Sequence, residues 1–495
     1  MLLMGIDIGT SSVKVAVVNA ETQQCIASAQ YPETETSITS LQTGWAEQSP
    51  EMWWQHTIQA INKVNKSNKY NPLEIEAIGI SYQMHGLVLV DKDQNVLRDS
   101  IIWCDSRAVE IGENALNTLG AEKCSSCLLN SPGNFTASKL AWVKNNEPEI
   151  YNKIDKMMLP GDFIAMKLTG NITTTSSALS EGIFWDFKED EISKDVMQYY
   201  GFESSLIPKV TPLFSSHGNL SAHIADILSL KKDIPVTYKA GDQLNNALSL
   251  NVLQPGEVAA TAGTSGVIYA VTDKLLADKF SRVNAFAHVN HTVGKKRLGI
   301  LLCINGTGIM NSWIKKLCGN LNYDEMNAQA AEIKPGSDGL LILPFGNGAE
   351  RMLQNKIVGS HISNIDLNKH SKAHIFRAVQ EGIAFSFRYG LDIMRENGLH
   401  PTIIRAGKAN LFLSNVFVES FVNATGVAIG LYENDGSVGA ALGAGIGAGI
   451  YQSYEEAFTN FKPLRKVVPA NEELYNQLYQ NWKLLLHQYL ESAEM

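Results

Sequence analysis

Residues 5–18 contain the feature that most constrains the fold of this chain. Two runs rich in β-branched residues flank the small and hydroxyl residues 9–12 (Gly-Thr-Ser-Ser), a pattern typical of a β-hairpin with a tight turn. The backbone N–H groups and hydroxyls of such a turn bind phosphate oxygens. Asp7, just before the turn, suits a hydrated Mg²⁺ ion, which keeps several waters and takes one or two carboxylates. The pattern predicts either an ordinary hairpin or a phosphate site with a metal beside it.

A second copy of this pattern occupies residues 261–272. Six residues of the first hairpin match it at a constant offset of 254, including the whole Gly-Thr-Ser triplet at 263–265. An internal repeat of this kind predicts two related domains, each with a Gly-Thr-Ser hairpin. Two such turns facing each other across a cleft would bind a polyphosphate from both sides. Coincidence between two short β-rich segments is the alternative.

Length and composition are those of a globular protein with several domains. A chain of 495 residues is too long for one core, so we expect about two to four domains. The chain is 45% hydrophobic and 18% charged, as soluble proteins are. Its net charge of −9 argues against nucleic-acid binding, and it has no run of Lys and Arg. A local nest of backbone N–H groups still binds phosphate on an acidic protein.

The sequence also argues against a membrane protein and a disulfide framework. Its first residues lack a basic segment and reach an acid at Asp7, which is not the pattern of a signal peptide. No apolar run reaches the ~18 residues of a membrane span. The six cysteines fit a reduced compartment. We therefore expect a cytoplasmic protein with neither a membrane nor a nucleic-acid partner.

Polar residues follow an apolar, β-like segment at residues 75–81. There, Gln83 and His85 would hydrogen-bond ligand hydroxyls, and Gly86 would let the backbone approach closely. A single His after a strand is equally compatible with a structural role. Farther along, Asp105 either lines the same cleft or caps the helix that follows it and pairs on the surface.

Asp242 is the most informative acid in the second half of the chain. A short β-like run ends at Gly241, and Asp242 then opens a helix. This arrangement exposes a carboxylate at the end of a strand, where α/β proteins place ligand-contacting groups. A helix N-cap is the alternative. Because the residue shortly precedes the second hairpin, we expect it near the domain boundary and therefore near the cleft.

Periodicity predicts several further helices. They are expected at residues 50–64, 375–397, 436–445 and 472–489. The third is rich in Gly and Ala and is predicted to pack closely. Neither a Rossmann fingerprint nor a Walker-type phosphate loop occurs in the sequence.

Taken together, the motifs of this chain resemble the FGGY family of carbohydrate kinases. The segments that carry the resemblance follow the family's order over nearly the whole chain, and they are residues 5–14, 45–50, 53–54, 83–86, 103–107, 139–142, 159–162, 240–242, 263–266 and 439–444. The resemblance implies a two-domain α/β protein with the actin-like ATPase (ribonuclease H-like) fold. It implies a catalytic cleft between a sugar-binding domain (1–241) and a nucleotide-binding domain (242–495). The last helix is left to pack back on the first domain or to stay on the second.

The resemblance also implies an activity and its residues. The activity is ATP-dependent phosphorylation of a sugar hydroxyl, with ATP as co-substrate and Mg²⁺ as the metal. The Gln-Met-His-Gly segment at 83–86 points to D-xylulose, giving D-xylulose 5-phosphate, rather than to glycerol. Asp242 would be the general base for the 5-hydroxyl, and Asp7 would hold Mg²⁺ through water. The implied sugar-binding residues are Gln83, Met84, His85, Gly86, Asp105 and Gln243, and the implied ATP-binding residues are Thr10, Ser11, Lys14, Gly263, Thr264, Ser265, Gly407 and Asn410.

Two positions depart from the family's pattern. Of the usual Gly-Gly-Gly run before the adenosine-contacting helix, only Gly407 is kept, which leaves the adenine contacts open. Gln243 follows Asp242 where members acting on D-xylulose often have Asn, which leaves the exact sugar open. The alternatives are a kinase for another ketose or polyol, or a non-catalytic actin-like regulator that binds sugar or ATP. A homodimer is implied by the resemblance alone.

Overall fold

Strands and helices alternate along the chain, and each half of the chain is organised around one sheet. The structure, a computed structural model, describes residues 1–492. Its strands are β1 (Leu2–Ile8), β2 (Val13–Asn19), β3 (Cys25–Tyr31), β4 (Glu47–Gln48), β5 (Ile75–Tyr82), β6 (Val88–Val90), β7 (Ser100–Ile101), β8 (Lys156–Met158), β9 (Thr173–Thr174), β10 (Trp185–Asp186), β11 (Glu191–Ile192), β12 (Lys209–Val210), β13 (Val236–Gly241), β14 (Glu257–Ala262), β15 (Gly266–Thr272), β16 (Asn284–Ala287), β17 (Leu298–Ile304), β18 (Leu341–Phe345), β19 (Gly359–Ser363), β20 (Ile403–Gly407), β21 (Ile429–Tyr432) and β22 (Arg465–Val467). Its α-helices are α1 (Pro50–Asn65), α2 (Val109–Leu119), α3 (Ala121–Lys123), α4 (Thr136–Asn146), α5 (Pro148–Tyr151), α6 (Pro160–Thr169), α7 (Ser176–Glu181), α8 (Lys194–Tyr200), α9 (Ala222–Leu228), α10 (Asp242–Ser249), α11 (Gly308–Leu317), α12 (Tyr323–Ala331), α13 (Lys372–Glu396), α14 (Asn415–Thr425), α15 (Gly436–Gly447), α16 (Tyr454–Ala457) and α17 (Glu472–Ser492).

The two large sheets repeat one topology. The first has the strand order β13-β5-β1-β2-β3, and the second has the order β16-β17-β15-β14-β20-β21-β22. In each sheet an antiparallel hairpin, β1–β2 or β14–β15, is extended on one side by two parallel strands. On the other side it is extended by an antiparallel strand, β3 or β17. This repetition confirms the prediction of two related α/β domains.

Strand β1 is buried on both faces of the first sheet. Alternate side chains enter different cores: Met4 and Ile6 lie in the core that contains Trp53 of α1, whereas Leu3 lies in the other core. A strand with two covered faces needs apolar residues along its whole length, which explains the near-continuous apolar run of residues 2–8.

Helix α15 lies against the first sheet although it comes from the second half of the chain. Its approach is close: an added Cβ at Gly5 would overlap the carbonyl oxygen of Ser437, and one at Gly79 would overlap that of Ala440. The Oγ1 of Thr237 also donates to the carbonyl of Ala444 at 2.8 Å. The predicted small-residue helix is confirmed, and it fixes the first sheet to the second half of the chain.

The last helix, α17, packs on the second half of the chain. Its buried residues Tyr475, Tyr479 and Trp482 surround Phe385 of α13, with ring centroids 6.1–6.5 Å apart. The Nε1 of Trp482 donates to the carbonyl of Ile342 at 2.8 Å. The alternative that this helix packs back on the first domain is therefore wrong, because its aromatic face is filled by α13 and β18. No helix within residues 1–492 is long and apolar enough to span a membrane.

Candidate active site

The two Gly-Thr-Ser turns close the hairpins β1–β2 and β14–β15. In the first turn, the N–H of Gly9 donates to the carbonyl of Ser12 at 3.0 Å. The second turn is shorter, since Ala262 and Gly266 already pair across it. The hydroxyl-bearing residues at the turn tips are exposed; they are Ser11, Thr264 and Ser265. Both hairpins are therefore confirmed, and each presents hydroxyls at its tip.

Helix α11 begins directly against the second turn. The N–H groups of Gly308 and Ile309 donate to the carbonyls of Gly263 and Thr264, each at 3.0 Å. These two bonds use the first free N–H groups of the helix and hold the turn in place.

Asp242 is the first residue of α10, directly after strand β13. Its carboxylate is partly buried at the carboxyl end of a parallel strand, and Gly241, not Asp242, is the N-cap. Burial, and after it the negative charge of Asp7, raises the pKa of the Asp242 carboxyl to about 7. Near neutral pH this group exchanges a proton readily, which is what a general base requires.

Asp7 lies at the end of β1, beside the start of α15. An added Cβ at Gly436 would overlap the Oδ2 of Asp7, so the helix begins against the carboxylate. Burial raises the pKa of the Asp7 carboxyl, and the charge of Asp435 also raises it. Asp7 makes no ion pair within residues 1–492.

The surroundings of Asp7 fit a hydrated Mg²⁺ ion. Asp7 and Asp242 are close enough for the charge of one to shift the pKa of the other. In the part of the chain that the structure describes, no group of three or more His, Cys, Asp or Glu side chains is placed to hold a metal. A metal at Asp7 would therefore keep most of its waters, which is the usual binding mode of Mg²⁺.

Thr10 and Gln83 are bonded to each other. The hydroxyl of Thr10 donates to the Oε1 of Gln83 at 2.9 Å and accepts from the indole of Trp103 at 2.9 Å. The amide of Gln83 donates to the Oε1 of Gln48 at 3.1 Å. Buried and bonded through both its Oε1 and its Nε2, Gln83 supports the first turn, and its contact with a sugar stays a prediction.

Lys14 pairs with Asp435, the N-cap of α15. The Oδ1 of Asp435 in turn accepts from the backbone N–H of Ser437 at 2.9 Å. The predicted ATP-binding lysine therefore fixes the first hairpin to the helix that begins beside Asp7. Asp435 itself was not found from the sequence, although an acid just before a helix start is a recognisable N-cap signal.

Met84 packs against Gly241, the residue before Asp242, and His85 follows Met84 in the chain. A Cβ at Gly241 would lie 2.7 Å from the Cγ of Met84. His85 has a φ of 62°, in the left-handed region, and its Nδ1 is 3.0 Å from the carbonyl of Glu181. Burial lowers the pKa of His85 to about 3, so the imidazole is neutral. Met84 therefore lies beside the strand end that leads to the candidate base.

Gly86 packs closely against α6. It is buried, and a Cβ there would lie 2.7 Å from the Cγ of Pro160. Its small size therefore serves packing against α6, and the approach of a ligand to its backbone stays a prediction.

Glu181 and Lys139 lie behind the predicted sugar-binding residues, and sequence reasoning did not assign them a role. Tyr82 donates to the Oε1 of Glu181 at 2.6 Å, and burial raises the pKa of Glu181 well above its usual range. The Nζ of Lys139 donates to the carbonyls of His85 and Ile102, each at 2.9 Å. Lys139 therefore fixes the strained backbone at His85.

Asp105 is bonded to Arg107. Its carboxylate accepts from the Nε of Arg107 at 2.9 Å and from the backbone N–H of Ala46 at 2.6 Å. The side chains of Asp105 and Arg107 are both buried, and the guanidinium of Arg107 lies 3.8 Å from the ring centroid of Trp45. These bonds let Asp105 hold the loop that carries Trp45 and Ala46, and its contact with a sugar stays a prediction.

Gln243 and Arg351 have unused hydrogen-bonding capacity near the cleft. The Oε1 of Gln243 is buried and has no hydrogen-bond partner within residues 1–492. Arg351 donates to the Oδ1 of Asn284 at 3.0 Å and, among the described residues, has no carboxylate partner. Its charge helps to lower the pKa of His85. Arg351 was missed from the sequence because nothing local connects its loop with the cleft.

A cavity of about 400 Å³ opens beside the second turn. Of the predicted ATP-binding residues, Gly263, Thr264 and Asn410 line it, whereas Ser265 and Gly407 do not. Lining residues that the sequence did not reveal come from α11, α12 and the start of α14; they include Asn311, Ser312, Tyr323, Asn327 and Ser414.

Comparison with known proteins gives the following similarities. The model of the "FGGY family of carbohydrate kinases, N-terminal domain" matches residues 2–249, and that of the C-terminal domain matches residues 258–448. The chain is 29% identical to the xylulose kinase of Bacillus subtilis over 93% of this chain and 91% of that protein. Its structure superposes on xylulose kinase from Rhodospirillum rubrum with a TM-score of 0.88 at 24% identity, over 99% and 100% of the two chains. Glycerol kinase from Plasmodium falciparum with ADP gives the same TM-score at 20% identity, over 99% and 98%.

Proposed function

This chain belongs to the FGGY family of carbohydrate kinases, and we propose that it transfers the terminal phosphoryl group of ATP to the 5-hydroxyl of D-xylulose. The observation that carries this proposal is the Asp242 carboxylate, whose pKa burial raises to about 7, directly after β13, where Met84 packs against Gly241. The similarity to a xylulose kinase and the Gln-Met-His-Gly segment at 83–86 support the choice of sugar. Because a glycerol kinase has the same fold, the fold alone does not determine which sugar is bound, and the side chains of the cleft must do so.

In the proposed reaction, Asp242 accepts the proton of the sugar hydroxyl as its oxygen attacks the terminal phosphorus of ATP. Phosphoryl transfer depends mainly on alignment and on neutralising the charge of the phosphates. The turns at 9–12 and 263–265 would supply N–H groups and hydroxyls from the two sides of the cleft, and Arg351 would add positive charge. Asp7 would hold a Mg²⁺ ion through water, and the ion would supply neutralising charge for the phosphates.

The second candidate function is that of a non-catalytic regulator that binds sugar or ATP. A non-catalytic regulator would not need a base, so the placement of Asp242 beside Asp7 argues for the enzyme.

The proposed ligands of this chain are ATP and a small sugar. We also propose a homodimer, from the family resemblance alone, and sedimentation of the purified chain would test it.

The substrate is tested by ADP release from MgATP with D-xylulose, D-ribulose, L-ribulose, L-xylulose, glycerol or no sugar. We expect kcat/KM for D-xylulose to exceed that for every other sugar by at least about tenfold, because mismatched hydroxyls leave buried polar groups unpaired. Turnover only with another sugar would keep the enzyme class but change the substrate. ATP turnover that no sugar stimulates would contradict the kinase proposal.

The raised pKa of Asp242 predicts that kcat/KM for the sugar depends on pH. Asp242 accepts a proton only when it is ionised, and the ionised fraction falls as the pH drops through about 7. We therefore expect kcat/KM for the sugar to fall on acidification through the pKa of Asp242, approaching about tenfold per pH unit on the acid side, and to level off above it. A Mg²⁺ ion held by Asp7 would offset the charge that helps to raise this pKa, so the midpoint should lie lower at saturating Mg²⁺ than at low Mg²⁺. Initial rates at both Mg²⁺ concentrations measure it. A rate that does not fall on acidification at either concentration would argue against a carboxylate base.

A further inference from the structure

The guanidinium of Arg351 has one bonded nitrogen and one free edge. Its Nη1 donates to the Oδ1 of Asn284 at 3.0 Å. Its Nε and Nη2 have no hydrogen-bond partner within residues 1–492, and neither atom is fully enclosed by protein, so this edge is accessible. The side chain is half-buried, and burial lowers the pKa of Arg351. A partly desolvated guanidinium with an open edge indicates an anionic group that accepts two parallel hydrogen bonds there.

The charged groups near Arg351 place it between the second turn and the candidate base. Burial raises the pKa of the Cys303 thiol to about 11, the charge of Arg351 lowers it, and the charge of Asp242 raises it. Both charges are therefore close to this exposed thiol, which lies on β17 opposite Val267, near the start of the strand that leaves the second turn. On its other side, Arg351 is close enough to help lower the pKa of His85. A phosphoryl group that passes from the second turn to Asp242 would cross this place.

Two asparagines fix the orientation of Arg351. The Nδ2 of Asn284 donates to the Oδ1 of Asn130 at 3.2 Å, which leaves the Oδ1 of Asn284 as the acceptor for the guanidinium. Asn130 is itself held by the backbone of Ala285, whose N–H donates to its Oδ1 at 2.9 Å and whose carbonyl accepts from its Nδ2 at 2.7 Å. Asn130 belongs to the first half of the chain and Asn284 to the second. Contact between the two halves therefore holds the guanidinium in place.

The backbone just before Arg351 is anchored to the start of α11. The carboxylate of Glu350 is fully buried and accepts from the N–H groups of Asn305 and Gly306, each at 2.9 Å. The next residues of this segment donate the two bonds that hold the second turn. Glu350 thus fixes Arg351 relative to the turn where the phosphates are proposed to bind.

We propose that Arg351 is a further catalytic residue, whose Nε and Nη2 bind the phosphoryl group during its transfer, and that Asn284 and Asn130 position it. This inference rests on the proposed function, in which Arg351 only adds positive charge. The bond from the sugar oxygen to the terminal phosphorus forms while the bond from that phosphorus to the oxygen of ADP breaks, and Asp242 takes the proton. Two equatorial oxygens of the transferred group would accept from the guanidinium. This contact favours the transition state over the bound substrates.

The test is the steady-state rate of ADP release from MgATP, with the sugar that gives the highest kcat/KM. We expect Arg351→Ala to lower kcat at least about a hundredfold and to change either KM by less than about threefold. Arg351→Lys keeps the charge but loses the paired edge, so its kcat should fall at least about tenfold. Guanidinium ion added to Arg351→Ala should raise its kcat at least about fivefold, whereas urea at the same concentration should not, because only the ion restores the missing charge and edge.

A double variant tests the positioning role. We expect Asn284→Ala to lower kcat about tenfold, and we expect no further loss when it is added to Arg351→Ala, because Asn284 acts through Arg351. A purely structural role of Asn284 would lower kcat again in the double variant. The matched control is Arg465 on β22, which is exposed and also donates through its Nη1 to an asparagine, Asn415. Arg465→Ala should leave kcat unchanged.

The outcomes separate this inference from the proposed function. A loss in Arg351→Ala of less than about tenfold would overturn the inference alone, provided that a sugar stimulates the wild type. A higher KM for the sugar with an unchanged kcat would overturn it too, because the free edge would then bind the sugar. A lower kcat that guanidinium ion does not restore, with a further loss in the double variant, would assign Arg351 a structural role instead. A wild type that no sugar stimulates would overturn both the inference and the proposed function.

Discussion

Replacing Asp242 by Asn is expected to lower kcat for the sugar about a thousandfold. The amide keeps the shape of the side chain but cannot take the proton of the attacking hydroxyl. Since a carboxylate that acts in proton transfer contributes little to ground-state binding, the affinities for MgATP and D-xylulose should change less than about threefold. ADP release gives the rate, and calorimetry gives the two affinities.

The control for this substitution removes a carboxylate of the same kind from the surface. Asp226 on α9 has a side chain that is 72% exposed, so Asp226→Asn should leave kcat unchanged. A loss of less than about tenfold in Asp242→Asn would remove the residue from the role of base. The pH dependence of the residual activity adds a second check, because the limb near pH 7 should disappear with the carboxylate.

Residues whose placement depends on local sequence could be predicted. Asp7 and Asp242 each end a strand or follow one directly, and the turns at 9–12 and 263–265 lie between strands that pair with each other. A strand followed by a turn or a helix is encoded within a few positions. The same reasoning placed α1, α13 and the small-residue helix α15 close to their observed limits.

Roles that depend on distant partners could not be predicted. Lys14 meets Asp435 across 421 positions, and Thr10 meets Gln83 across 73. These contacts give Lys14, Thr10 and Gln83 a structural role in supporting the first hairpin that the sequence did not reveal. Asp105 looked equally suited to a cleft and to a cap, and only the fold shows its carboxylate bonded to Arg107.

The cavity beside the second turn could not be predicted for the same physical reason. Its walls come from α11, α12 and the start of α14, which are about a hundred positions apart. No pattern along the sequence reveals that Gln380 orients the amide of Asn327 at this cavity.

The second large effect is expected for Lys239, which forms a buried ion pair with Asp162. Both side chains are 1% exposed, and the Nζ of Lys239 lies 2.6 Å from the Oδ1 of Asp162. Lys239→Met would leave the carboxylate of Asp162 buried without its cation. We expect a loss of about 3–5 kcal/mol in the free energy of unfolding, which denaturant titration would measure. Because β13 carries Lys239 and leads directly to Asp242, activity should be lost with stability.

Removing both charges should restore most of this stability. In Lys239→Met combined with Asp162→Leu, no unpaired charge remains buried, so we expect the double variant to be more stable than Lys239→Met alone. The matched control is Lys231→Met, which breaks an ion pair with Glu76 whose side chains are 41% and 40% exposed and should cost less than about 1 kcal/mol. If Lys239→Met and Lys231→Met had equal effects, burial would not be the cause. If the double variant were no more stable than the single one, the cost would come from lost packing around β13 and not from the unpaired carboxylate.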